Sequence, residues 1–304
     1  LQDDIFEQVI EDAVQKLKDR NRIFCTGIQR WNTILSPGYL SKRLYTYLAF
    51  PGKGKSTILL KSALDIRKYN PNIQTKDPDK RPAVLFLTLE NDIPETVERL
   101  YNMAVDNDDL RNYTPKQVIK KIRKSGFRLS NENNIDVIIK EYKNRELDTN
   151  DLYTVINDLN DEGVEVITLI VDYLKRIRPA ETASSEKEEL KNITNELKEL
   201  AKFFDIPVIT AQQLNRNGAA VVDAAIQAKK EDVTRLVGRD SIAGAWEIIE
   251  NSDFVCIINP EVKNDTNELY LTFKLLKRRY RSAEDDEKLR RMDYFNHPFE
   301  HGNE

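Results

Sequence analysis

Residues 49–57 read Ala-Phe-Pro-Gly-Lys-Gly-Lys-Ser-Thr, and their types and spacing suit the wrapping of a polyphosphate. Glycine lets backbone amides close around phosphate oxygens. Lys55 would reach the β and γ oxygens, and the Ser56 hydroxyl would sit on Mg²⁺. Pro51, Gly52, Lys53, Gly54, Lys55, Ser56 and Thr57 form the expected nucleotide-binding turn, a P-loop in which Ala49 stands where the first glycine is often found. Binding of a nucleoside triphosphate is the chemistry this stretch predicts.

Three further segments add polar side chains to apolar runs. Val84 to Leu89 is followed by Glu90. A carboxylate at such a strand end can polarise an attacking water; the same residue could equally lead into the helix that Asn91-Asp92-Ile93-Pro94-Glu95 suggests. Ile167 to Val171 is apolar and ends in Asp172, the Walker B form in which a carboxylate holds the magnesium shell. Ile206 to Ala211 leads into Gln212-Gln213-Leu214-Asn215-Arg216, which would bring the Gln213 amide to the same sheet edge as a sensor of γ-phosphate.

Positioning these groups requires strands that end together. Leu44–Leu48 reads as the strand before the P-loop, and Ser56–Tyr69 as the helix after it, with Ile58, Leu59, Ala63 and Ile66 at helical spacing. Strands are predicted at 83–89, 164–171, 206–211, 254–258 and 269–276, and helices at 94–105, 115–124, 149–159 and 186–204. Such alternation predicts an α/β fold, a mostly parallel central sheet flanked by helices. Near the start, Ile5, Phe6, Val9, Ile10, Ala13 and Leu17 share one face of a helix that Arg20-Asn21-Arg22 interrupts.

Composition excludes several classes. With 304 residues, 40% of them hydrophobic, the chain can bury one large core. Charged residues make up 32%, and the net charge of −4 gives no support for a globally basic nucleic-acid binder. Cys25 and Cys256 are far apart and only two histidines occur, so a disulfide framework or zinc site is not expected. No signal peptide or apolar run of membrane-spanning length stands out. A soluble, cytoplasmic protein is expected, and the heavy use of Asn, Asp, Lys, Glu and Ile hints at an AT-rich genome of the kind some phages carry. The chain begins at Leu1, so a fragment of a longer protein is an open alternative.

The order P-loop, Leu89-Glu90, Ile170-Val171-Asp172-Tyr173-Leu174 and Gln213-Leu214-Asn215-Arg216 resembles the RecA-like motor domain of DnaB-type hexameric replicative helicases. Thr26-Gly27-Ile28-Gln29-Arg30-Trp31-Asn32-Thr33-Ile34-Leu35 is similar to the lead-in before that family's P-loop, and Lys277-Arg278-Arg279 resembles its Lys-x-Arg pair. The likeness runs from about Phe24 to Phe299. It implies an ATP-driven helicase that translocates on single-stranded DNA as a hexameric ring, with ATP and Mg²⁺ as cofactors. Lys55 and Ser56 would bind triphosphate and magnesium, Asp172 would hold the metal, Glu90 would be the catalytic base, and Gln213 would couple nucleotide state to DNA grip. Lys277 and Arg279 would reach across a subunit interface, one arginine of the Arg278-Arg279 pair being the finger on the neighbour's γ-phosphate. Residues 1–22 would be a linker helix docked on the adjacent subunit, and 23–304 the motor domain.

By the same resemblance, single-stranded DNA would thread the ring and meet the stretches 175–187 and 217–243. Arg176, Arg178, Arg216, Lys229, Lys230, Arg235 and Arg239 are the candidate contacts, with Lys175 beside them and Arg239 preferred because Gly238-Arg239-Asp240-Ser241 resembles a family loop. A grip on the backbone by cations is salt-sensitive and sequence-tolerant. The run Lys120-Lys121-Ile122-Arg123-Lys124 reads instead as a solvated helix face. The sequence departs from the family at Tyr280-Arg281-Ser282, where a glycine is usual, and at Gln212-Gln213, where Ser-Gln is usual. A collar domain, which in the family binds primase, has no counterpart in these residues, so primase or a loader is an expected partner only through the resemblance. A strand-exchange ATPase of RecA type and a nucleotide-gated scaffold or loader are the alternatives.

Overall fold

Strands that carry apolar residues on both faces must be covered on both faces, and this requirement organises the molecule. The computed structural model of the protein describes residues 2–19, 23–35, 37–105, 109–122, 135–228, 230, 232–237, 246–263, 265, 268–279 and 294–298. In chain order the elements are α1 (Gln2–Lys18), β1 (Ile23–Phe24), α2 (Gln29–Leu35), β2 (Tyr39–Leu40), β3 (Leu44–Ala49), α3 (Lys55–Tyr69), β4 (Arg81–Thr88), α4 (Ile93–Ala104), α5 (Pro115–Ile122), β5 (Asp136–Glu141), α6 (Thr149–Asp161), β6 (Val164–Asp172), α7 (Glu186–Phe204), β7 (Val208–Gln213), α8 (Arg216–Gln227), α9 (Trp246–Asn251), β8 (Phe254–Val262), β9 (Leu269–Arg278) and β10 (Tyr294–Pro298).

The main sheet runs β5-β4-β6-β7-β3-β8-β9-β10. Pairing is parallel from β5 through β8 and antiparallel at β8–β9 and β9–β10. The chain leaves β3, passes through α3 and enters the sheet again at β4; β6 and β7 later fill the gap between those two strands. The mostly parallel α/β expectation therefore holds. Period-two alternation divides the core. Leu44, Leu48, Leu85, Leu87, Leu169 and Val171 face α6 and α7 with Leu152, Ile156, Ile193 and Leu197. Tyr45, Tyr47, Val84, Phe86, Ile170 and Ile209 face the opposite layer with Trp31, Ile58, Leu59 and Ile66. Trp31 is wholly buried and sets its ring edge-on to Phe254 and Phe273, with centroids 4.9 and 5.2 Å away.

Local chemistry sets the helix ends. Asp92 caps α4 by accepting from Glu95 N, with proline in the first turn. Asp148 and Asp151 form a capping box on α6, and Ser185 caps α7, which stops at Asp205 in a left-handed conformation. α1 differs from the others: every side chain from Glu7 to Gln15 is exposed, including Val9, Ile10 and Val14 at 60%, 46% and 41%. α5 buries none of its residues, in keeping with a solvated basic face.

Two expectations need correction. The stretch 217–243 is not a loop in its first part, because α8 occupies it. Val222 and Ala225 lie three residues apart and are both buried, so an apolar face draws this segment into a helix. The strand expected over 269–276 extends to Arg278 and so carries Lys277 and Arg278 within it. β1, α2, β2, β5, α8, α9 and β10 lie outside the predicted elements.

Candidate active site

β3 is buried along its whole length and delivers the chain to the P-loop at Ala49. The turn is closed by Lys53 N donating to Phe50 O at 3.1 Å. Gly52 and Gly54 have φ of 69° and 87°, left-handed values that a side chain would strain. A Cβ on Gly52 would meet nothing within 4 Å, so conformation alone demands glycine there. Gly54 is the N-cap of α3, no side chain caps it, and the first turn carries no acidic residue. The leading amides of α3 are thus aimed outward with the positive end of the helix dipole, a ready anion site.

Lys55 and Ser56 open α3 and are 6% and 8% exposed. The Lys55 ammonium lies 5.0 Å from the centroid of the Tyr173 ring. Beside them β4 and β6 pair in parallel with Thr88 opposite Asp172, and Leu89 N donates to Asp172 O at 3.1 Å. This register sets Glu90 and Asp172 at one edge of the sheet. Asp172 is 1% exposed, and neither of its carboxylate oxygens has a hydrogen-bond partner of good geometry. Desolvation pushes its pKa up to about 6, opposed by the Ser56 hydroxyl and Lys55 and reinforced by Glu90. A buried, unpartnered carboxylate beside a serine hydroxyl and a phosphate-binding turn fits a divalent cation carried in with a nucleotide.

Glu90 Oε1 lies 3.8 Å from Arg176 Nη2, both groups about one-third exposed. Asn91 donates to Ser56 Oγ at 3.4 Å, and its carbonyl accepts from Thr88 Oγ1 at 2.6 Å. Gln213 ends β7 opposite Ala49, with Leu214 N donating to Ala49 O at 2.8 Å. Residues 52–57, Glu90, Asn91 and Arg99 line a cleft of about 250 Å³. Pro51 is exposed at the turn and does not line it.

Arg99 and Asn91 escape a reading of the sequence. Arg99 sits on α4, ion-paired with Glu95 at 2.6 Å, and its charge also works to lower the Asp172 pKa. In sequence, Glu95 and Arg99 look like an ordinary i,i+4 surface pair. Only the placement of α4 beside the P-loop turns Arg99 toward the cleft.

Lys277 and Arg279 lie at the other end of the sheet. Asp253, just before β8, receives Leu44 N and donates its own N–H to Leu44 O, which marks the N-terminal edge of the parallel strands. β9 runs antiparallel to β8 and ends there, with Arg278 opposite Phe254, and Arg279 N donates to Asp253 O. β3 spans six residues between this edge and the P-loop, or roughly 20 Å. Neither side chain can reach its own chain's P-loop. Arg278 points elsewhere and donates to the Ile34 carbonyl.

The candidate DNA contacts are scattered. Lys175 pairs with Glu186 at 2.6 Å and Arg178 with Asp148 at 3.9 Å. Arg176 stands beside Glu90 and 5.4 Å from the Tyr173 ring centroid, so it borders the cleft. Arg216 begins α8, and Lys230 is exposed. Arg235 is exposed on a short 3₁₀ turn, Val233–Leu236, with its Nε 3.6 Å from Asp232. Lys229 and Arg239 lie outside the described residues, as does the side chain of Arg216. The 3₁₀ turn is held from below by Glu261, 6% exposed, which accepts from Val233 N, Thr234 N and Thr234 Oγ1 at 3.0, 3.1 and 2.6 Å. Lys274 Nζ donates to the carbonyls of Arg235 and Val237 at its other end. Glu261→Ala strands those buried donors and is expected to lower stability by about 3 kcal/mol, seen as a reduced midpoint in urea unfolding; an unchanged midpoint would mean water replaces the carboxylate.

The fold and the cleft together define a P-loop ATPase of the RecA-like class. Residues 2–300 match the model of the divergent DnaB-like ATPase family, and the chain belongs to that family. It is 23% identical over 217 residues to a probable replicative DNA helicase of Guillardia theta, and 23% identical over 188 residues to the replicative DNA helicase DnaB of Mycoplasma pneumoniae. These alignments cover 70% and 60% of the chain but 33% and 37% of the relatives, so the chain spans about a third of their length. Its fold is similar to that of a solved ATPase domain, with a TM-score of 0.61 at 16% identity over 90% of both chains. It is also similar to a DnaB-like replicative helicase whose structure was described with its interactions with primase. There the TM-score is 0.59 at 18% identity, over 91% of this chain and 61% of that one. Among the described residues no helix is long and apolar enough to cross a membrane.

Proposed function

We propose that the chain is the ATP-hydrolysing motor of a DnaB-type helicase, acting as a ring on single-stranded DNA, with each active site shared between two protomers. The observation that carries this reading is the separation of the P-loop from Lys277 and Arg279 by the length of β3. Lys277 and Arg279 lie out of reach of their own P-loop, which supports their acting on a neighbour's nucleotide. The exposed Val9, Ile10 and Val14 of α1 support residues 1–22 as a linker helix seated on an adjacent copy, with 23–304 as the motor domain.

In this reading Lys55 and the leading amides of α3 hold the triphosphate. Ser56 and Asp172 would hold Mg²⁺, which when bound neutralises charge building on the β and γ oxygens. Glu90 orients the attacking water and accepts its proton. Gln213, on the strand next to the P-loop strand, reports the γ-phosphate to α8 and the segment beyond it. Arg279 of one protomer completes the site of the next. The basic residues after β6 and β7, Arg239 foremost, would track the DNA backbone, and primase or a loader would be the partner protein. The cytoplasm is the proposed place of action.

ATP turnover measured across protein concentration, with and without single-stranded DNA, tests the reading. Specific activity is expected to rise steeply with concentration and to be stimulated by DNA, and a forked duplex should be unwound. Turnover independent of concentration would refute the shared site. Shared-site turnover without unwinding would favour the strand-exchange or scaffold alternatives.

A further inference from the structure

Lys277 and Arg279 are tethered at the N-terminal sheet edge. α9 ends there, and its last carbonyls are taken by three cations: Ile249 O and Glu250 O by Lys277 Nζ, Glu250 O by Arg279 Nη2 at 3.3 Å, and Asn251 O by Lys198 Nζ at 3.2 Å. Behind them lies the Asp253 carboxylate, 4% exposed. Its Oδ2 accepts from Leu44 N at 3.1 Å, which fixes it to the start of β3. Its Oδ1 meets Lys198 Nζ at 3.1 Å, Arg279 Nη1 at 3.3 Å and Arg43 Nη1 at 3.6 Å. Arg279 is therefore joined to Asp253 twice, through its guanidinium and through its backbone N–H, which donates to Asp253 O at 2.9 Å.

We propose that Asp253 is the positioning residue of Arg279, and that Lys198, with Arg43 farther off, supplies the counter-charge that remains when the guanidinium moves onto a neighbour's phosphate. The proposal rests on the reading of Arg279 as a residue acting in trans. A long arginine side chain samples many rotamers, and anchoring it before the neighbour docks removes that entropy from the catalytic encounter. An anchor can also be a trap, because a buried carboxylate stripped of its cations is strongly unfavourable. Lys198 resolves the conflict. Its side chain is 11% exposed and stays in place, whereas that of Arg279 is 44% exposed and is the member able to leave. Burial and the nearby Arg279 charge both hold the Lys198 pKa below the usual lysine range, while Asp253 raises it. Departure of Arg279 thus strengthens the pair left behind.

The test compares Asp253→Asn, the double variant Asp253→Asn/Lys198→Met, and Arg279→Ala. The measurements are kcat for ATP, affinity for a fluorescent ATP analogue, and urea unfolding. Asp253→Asn alone leaves the Lys198 ammonium buried without its carboxylate and will be destabilised; the double variant removes both charges of that buried pair, leaving only the more exposed Arg43 and Arg279, and should recover most of the loss. Both Asp253 variants are expected to lose about 10²-fold in kcat with nucleotide affinity unchanged, since the P-loop lies at the opposite edge. If the double variant regains both stability and wild-type kcat while Arg279→Ala is inert, Asp253 only supports the fold and the proposal is wrong. If Arg279→Ala itself turns over like wild type, the trans-acting reading falls and this proposal with it.

Discussion

Arg279→Ala is expected to lower ATP turnover by about 10³-fold or more, the usual weight of an arginine that meets a transferring phosphoryl group, while leaving ATP affinity almost untouched. The reason is geometric. Arg279 lies at the edge of the sheet where β9 ends and Asp253 precedes β8, and its own P-loop is at the far end of β3. The same geometry predicts complementation. Lys55→Ala removes the P-loop cation but keeps Arg279, and Arg279→Ala does the reverse. Each should be nearly inert alone, yet mixing them should restore turnover at those interfaces that pair an intact P-loop with an intact arginine. A mixture no more active than its components, under conditions where wild-type protomers exchange, would show that Arg279 does not act across an interface.

Asp172→Asn carries the second large effect, with opposite signs on activity and stability. The folded Asp172 pKa is raised from 3.8 to about 6, so between those values the native state binds a proton that the unfolded state releases. Ligand-free stability from this group accordingly falls as pH rises from about 4 to about 6, and the full penalty persists above that. Two pKa units correspond to about 3 kcal/mol. Asn at this position cannot ionise, so the ligand-free variant should be more stable than wild type at pH 7.5 by up to about 3 kcal/mol, with no such advantage at pH 4. Turnover should nevertheless fall by several orders of magnitude, because the charge that is unfavourable in the empty site is the one a magnesium–nucleotide complex requires. Urea midpoints at the two pH values, with and without Mg-ATP analogue, check both halves. Equal wild-type and variant stabilities at pH 7.5 would mean that Asp172 is not strained in the empty site.

Two buried carboxylates of this chain, Glu261 and Asp172, differ in kind. Glu261 is buried with its hydrogen bonds made, holding a turn in place. Asp172 is buried with neither oxygen in a hydrogen bond of good geometry. In Asp172, beside the phosphate-binding turn, the missing interaction is one that a cation arriving with a nucleotide would supply.

The phosphate turn, Glu90, Asp172 and Gln213 are all legible in the residues themselves. Each is a short-range pattern: glycines where left-handed backbone is needed, or a polar residue ending a run of Val, Ile and Leu, and a parallel sheet brings such ends to one edge. Helix limits are legible for the same reason, since Asp92, Asp148 and Ser185 cap by local hydrogen bonds. Other features depend on which distant segments meet. Arg99 resembles any surface arginine until α4 is laid beside the P-loop, and α8 reads as loop because its small apolar residues acquire a buried face only against the rest of the fold. Asp253 resembles a turn residue until β3, α7 and β9 bring Leu44, Lys198 and Arg279 to it. That Lys277 and Arg279 lie at the edge opposite the phosphate site follows from β9 running antiparallel, and strand direction is decided by pairing between strands, which no single stretch of residues encodes.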